Sequence, residues 1–134
     1  MPLLSRNFVR LSLIYLAVGF TLGALLLVNK GLHINPLIWN LLPLHAQLLL
    51  MGWFVQLVVG VAYWIFSRLS GEHPRGNPSL AWSSFWLINL GITLVILGFL
   101  AGYSPSVLVG RLLEFAGVSA FVTCSWKRVK TFAG

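Results

Sequence analysis

LPLHAQLLLMGWFVQLVVGVAYWIF, residues 42–66, contains no aspartate, glutamate, lysine or arginine. About 20 mostly apolar residues in an α-helix cross the hydrocarbon core of a bilayer. The stretch, Leu42 to Phe66, is long enough to span with some tilt. A helix this long on the surface of a soluble domain would carry a charged outer face, and this one has no charge on any face.

Working outward, the same criterion picks out Phe8–Asn29, Leu80–Tyr103 and Pro105–Trp126. Lys30-Gly31 ends the first run. The polar octet Gly71-Glu72-His73-Pro74-Arg75-Gly76-Asn77-Pro78 separates the second from the third. Gly102, Tyr103, Ser104 and Pro105 make a tight turn before the fourth, with Ser104 predicted as N-cap and Pro105 at the first helical position. Gly31 to Pro43 is read as a connection carrying a short interfacial turn around Pro36-Leu37-Ile38-Trp39. The predicted fold is an all-α integral membrane bundle of four helices, one domain over residues 1–134.

Composition agrees. The chain is 58% hydrophobic and 8% charged, whereas a soluble domain carries charge on about a quarter of its residues. Arg6 and Arg10 ahead of an apolar run imitate a signal peptide. However, Leu11–Val28 is too long for its apolar core, so the segment reads as the first membrane helix. The net charge of +7 sits between the apolar runs, where it sets topology and meets anionic headgroups. Arg6, Arg10, Arg68, Arg75, Lys127, Arg128 and Lys130 fall on one side, and Lys30 and Arg111 on the other. By the positive-inside rule both termini are cytoplasmic. The expected location is the inner membrane of a prokaryote. Trp64, Trp82, Trp86 and Trp126 then lie near the inner surface and Trp39 near the outer one, as interfacial anchors do.

Cys124 is the only cysteine. That excludes an internal disulfide, a thiolate metal cluster and the paired cysteines of four-helix thiol oxidoreductases. Compact multidrug exporters expect an acid in the first helix, and none is there. Gly19-Phe20-Thr21-Leu22-Gly23 and Gly98-Phe99-Leu100-Ala101-Gly102 are small-xxx-small patterns that allow close helix contact.

Ionisable groups inside a bilayer are functional candidates by default, and three are present: His45, Arg111 and Glu114. At about 100° per residue, Gly52, Gln56 and Tyr63 fall within about 20° of His45 and share its stripe. A neutral imidazole ligates iron well, and b-type haem is held by axial ligation and packing. Gly52, about 10 Å along the helix from His45, is read as leaving room for the porphyrin. Spacing alone fits equally well a histidine hydrogen-bonded to a neighbouring helix or to interfacial water. Arg111 lies about two turns into the fourth helix, at a depth similar to His45, with Glu114 on the same face. It is read either as the partner of a haem propionate or as half of an interior ion pair. His33 and His73 read as solvated loop residues. Met51 points about 120° away from His45.

The second helix resembles a known one. His45-Ala46-Gln47-Leu48-Leu49-Leu50-Met51-Gly52-Trp53-Phe54-Val55-Gln56, continuing through Val59-Gly60-Val61-Ala62-Tyr63-Trp64 to Ser67-Arg68, is similar to helix II of the haem-copper oxidase catalytic subunit. The likeness is nearest the C-family oxidases and nitric oxide reductases. Arg10, Tyr15, Gly19 and Gly23 resemble that superfamily's first span. The resemblance implies that His45 is an axial ligand of a low-spin haem near the outer face. The second ligand and the oxygen-reducing centre of the superfamily lie on later helices, whereas the third and fourth helices here contain no histidine. The expected function is therefore haem b binding for electron transfer or for a diatomic gas, with His45 as iron ligand and Gly52, Gln56 and Arg111 around the cofactor. The chain is not expected to be a complete terminal oxidase. A homodimer is expected, because it would supply the missing ligand, and the redox partner is expected in the respiratory chain. The alternative is a cofactor-free assembly factor or accessory subunit of a respiratory complex.

Overall fold

The computed structural model describes residues 1–69 and 71–129. Lys130, counted above among the charges that set orientation, lies outside the described residues. Among the described residues, four helices are long and apolar enough to cross a membrane: α1 (Leu3–Leu32), α2 (Pro36–Ile65), α3 (Pro78–Ala101) and α4 (Ser104–Ser125), the last followed by a 3-10 turn, Trp126–Arg128. The all-α, four-span reading holds.

The helix ends follow from local chemistry. The α1 helix closes on His33, whose left-handed backbone (φ 51°) sends its N–H back to the Asn29 carbonyl. Lys30 in that last turn faces the negative end of the helix dipole. The Asn29 side chain accepts from the Asn35 N–H at 2.9 Å, and Asn35 in turn caps the next turn through the N–H of Leu37 at 2.9 Å. The connection between α1 and α2 is thus stitched by two asparagines. Asn77 accepts from Ser79 N–H at the start of α3, with Pro78 in the first turn. At its other end Gly102 takes φ 65°, which costs a residue without Cβ nothing. Tyr103 N–H then reaches Gly98 O at 2.9 Å and closes a Schellman turn.

Two expectations need correction here. Ser104 is not the N-cap: it is the first residue of α4, Tyr103 flanks it in extended conformation, and no side chain caps the end. The Schellman turn leaves one extended residue between the helices, and Tyr103 occupies it. The second helix is also not α-helical throughout. It opens as a 3-10 turn over Pro36–Leu41, is α-helical over Leu42–Gln47, widens to a π-helix over Leu48–Val55, and returns to α over Gln56–Ile65. Wider turns bond i to i+5 and advance less per residue, so a stripe drawn at α-helical spacing drifts along this segment.

Successive helices run antiparallel. The core lies where α1, α2 and α3 meet, around Phe8, Val59, Phe85, Ile88 and Ile92. There Phe8 and Phe85 pack edge-to-face with centroids 5.0 Å apart. The closest pair of helices is α3 and α4. Its seam runs through Gly91 and Gly98 on one helix and Gly110 and Gly117 on the other. A Cβ on Gly91 would stand 2.7 Å from the Gly110 carbonyl oxygen, and one on Gly110 2.7 Å from that of Gly91. Arg128 folds back from the end of α4 and is 1% exposed. Its guanidinium donates to the carbonyls of Tyr63, Phe66 and Ser67 at 2.8–3.1 Å and stacks 5.0 Å from the Tyr63 ring. These acceptors lie at and just beyond the C-terminus of α2, so Arg128 caps a helix other than its own.

Candidate cofactor site beside His45

His45 stands one turn inside the α-helical part of α2 and faces α1. Its Nδ1 lies 2.8 Å from the carbonyl oxygen of Gly19. A carbonyl can only accept, so Nδ1 carries the proton, and in the neutral ring Nε2 is left with the lone pair. That arrangement, one ring nitrogen held by backbone and the other available, is how metal-ligating histidines are oriented. Space for the ring comes from Gly23, where a Cβ would stand 2.7 Å from the imidazole Cε1.

Beside the imidazole is a groove of about 580 Å³ between α1 and the N-terminal part of α2. This lies within the usual size range of sites for small molecules and cofactors. Its walls are Phe20, Ala24, Leu27, Leu42 and Leu49, with Trp39 and Lys30 adding polar atoms. A histidine with a free nitrogen on an apolar slot is the donor set a b-type haem requires, since packing and one axial bond do the holding. The residues present fit that group.

The other candidates are elsewhere. Gly52 also faces α1, but its missing Cβ is filled by Tyr15, whose Cγ would be 2.7 Å away. Gln56 turns to α3 and exchanges hydrogen bonds with Asn89, which also accepts from Tyr15 Oη at 3.2 Å. Neither lines the groove. Arg111 is on the opposite side of α2, where its Nη1 donates to Gln47 Oε1 at 2.5 Å and to Glu114 Oε2 at 3.2 Å. Gln47 also donates to Glu114. The ion-pair reading of Arg111 therefore describes its contacts. The reason it stays away from the histidine is the helix itself: Gln47 is two residues beyond His45, about 200° around. Met51 lines the same far side. His33 sits behind Trp39 in a separate small hollow with Asn29 and Asn35. His73 lies in the connection between α2 and α3 near Arg68, Glu72 and Arg75.

Lys30 and Trp39 were not singled out in the sequence as groove residues. The close approach expected at Gly19 and Gly23 is made by α2, with Leu48 and Leu49 packed against Gly19 and the His45 ring against Gly23.

No curated protein and no solved structure matches the chain. A family model, Cytochrome C and Quinol oxidase polypeptide I, matches residues 4–127. That match runs through all four helices, including the histidine and the glycine pair that seats it. The chain therefore belongs to the cytochrome c and quinol oxidase polypeptide I family.

Proposed function

We propose that this multi-pass membrane protein binds haem b through Nε2 of His45 and serves electron transfer or the binding of a diatomic gas. The observation that carries the reading is the Nδ1 contact to Gly19, which orients an otherwise free imidazole beside an apolar groove. Gly19 fixes the ring, Gly23 leaves it room, and the aliphatic walls exclude water from the iron side. Bound there, haem supplies a one-electron iron couple and, if an axial position stays open, a place for a gas ligand. No second histidine lines the groove among the described residues, which supports either a single protein ligand or a ligand brought by a second copy. The membrane would be the inner membrane of a prokaryote with the histidine toward its outer face, and the redox partner a respiratory one.

The test is His45→Ala, purified in detergent beside the parent chain. The parent should be red with a Soret band, and the variant should lose haem while keeping its helical content. Full haem in the variant with an unchanged spectrum removes the assignment. His73→Ala should change neither property.

A second reading rests on Arg111, whose side chain is 47% exposed although it stands within a membrane span. A cation open to the lipid face suits docking against another membrane chain. A cofactor-free accessory subunit would be colourless.

A further inference from the structure

The groove has one charged residue. Of the side chains lining it, Lys30, Trp39 and His45 carry polar atoms, and only Lys30 is a full cation. It stands seven residues past Gly23 on the same helix, about 10 Å farther toward the end of α1. The imidazole, beside Gly23, thus marks one level of the groove, and Lys30 lines it about two helical turns farther along α1. Among the described residues the ion pair present is Arg111 with Glu114, so Lys30 has no carboxylate of its own.

A lysine can lay its aliphatic stem along an apolar wall and keep its head at the boundary with water. Such a wall with a cation at one end selects a ligand of matching polarity: a flat apolar body with anionic groups on one edge. We propose that Lys30 pairs with the carboxylate edge of the pigment ligated by His45, turning the propionates toward the end of the bundle where α1 meets α2. The proposal rests on the haem reading above. It replaces Arg111 in the propionate role, since Arg111 is on the other side of α2 and already bound to Gln47 and Glu114.

The test uses the apo-chain in nanodiscs, titrated with haem b and, separately, with its dimethyl ester, in which both carboxylates are blocked. Soret absorbance reads the affinity. The parent chain should bind haem b more tightly than the ester, by roughly five- to tenfold. Lys30→Met should weaken haem b by that factor and leave the ester unchanged, and Lys30→Arg should restore most of the difference. Equal binding of the two pigments by the parent chain overturns the proposal, and would assign Lys30 to a lipid phosphate instead. Equal losses of both pigments in Lys30→Met also overturn it, because that pattern marks a structural role. His45→Ala separates the two inferences. If it loses both pigments while Lys30→Met behaves as the parent, the haem assignment stands and the anchor falls. If the parent takes up neither pigment, both fall.

Discussion

Nδ1 of His45 on α2 is 2.8 Å from the carbonyl oxygen of Gly19 on α1. One helix therefore carries the imidazole, and another decides which nitrogen it leaves free and where it points. That carbonyl belongs to a helix that already spends its own hydrogen bonds internally, and it accepts the imidazole as an additional partner. The site is consequently a property of the α1–α2 interface, and changes on α1 should reach the haem proposed to bind there.

Gly23→Leu is the direct check. Its Cβ would sit 2.7 Å from the imidazole Cε1, below any ordinary contact. The ring must move, and it breaks with Gly19 as it does. We expect haem content to fall to less than half of the parent's, with far-ultraviolet circular dichroism unchanged. Retention of full haem and the same Soret maximum would show that the ring is not held there.

Arg111→Met should leave haem content and affinity as they are, because Arg111 is across α2 from the groove. Haem loss in this variant, with the fold intact, would place a propionate near α4 and contradict the geometry.

Glu114 is 3% exposed and closes a ring of hydrogen bonds with Gln47 and Arg111. Removing it alone in Glu114→Ala leaves the buried Gln47 and the half-exposed Arg111 short of an acceptor. The expected cost is about 1–3 kcal/mol, read by unfolding in mixed micelles. Arg111 is half open and can move its head toward water, which keeps the cost below that of a fully enclosed pair. The triple variant Gln47→Leu, Arg111→Met and Glu114→Met, which leaves no member of the ring unpaired, should recover much of the loss. A triple variant no better than Glu114→Ala would mean the cluster does not act as a unit.

Reporter fusions at the two termini address orientation. Both are expected to be cytoplasmic, with Lys30 and His45 toward the outer surface. A terminus found reliably outside would invert the bundle and put the groove at the inner surface.

Haem per chain addresses assembly. One haem per chain is expected, with an open or weakly filled sixth position that takes carbon monoxide. Half a haem per chain with a low-spin, unreactive spectrum would instead mean that two His45 side chains share one iron across a twofold axis. Gly19 and Gly23 are occupied by α2, and Gly98 by Val107 on α4, so these glycines do not offer a free dimer surface. A dimer would have to use another face.

What the sequence determined by itself is local. Four runs of apolar residues cross a bilayer whatever they pack against, because every backbone group in a helix is satisfied within its own segment. Asn77-Pro78 and Gly102 announce helix ends through chemistry that acts within a few residues. His45 was visible because an ionisable ring in such a run is rare. Which faces meet was a different matter. In lipid the outside of a helix is as apolar as the inside, so hydropathy has no period from which to read packing. Hence Gly23 clears the imidazole, Gly52, read as room for a porphyrin, is taken up by Tyr15, and Gly91 and Gly110 form a seam that no pattern singled out. The π-helical stretch Leu48–Val55 further breaks the fixed angle per residue on which any stripe depends. Only the tertiary structure could turn Arg111 toward Gln47, fold Arg128 over the end of α2 and bring Lys30 to the groove, because each pairing joins residues on different helices whose mutual rotation is settled by packing.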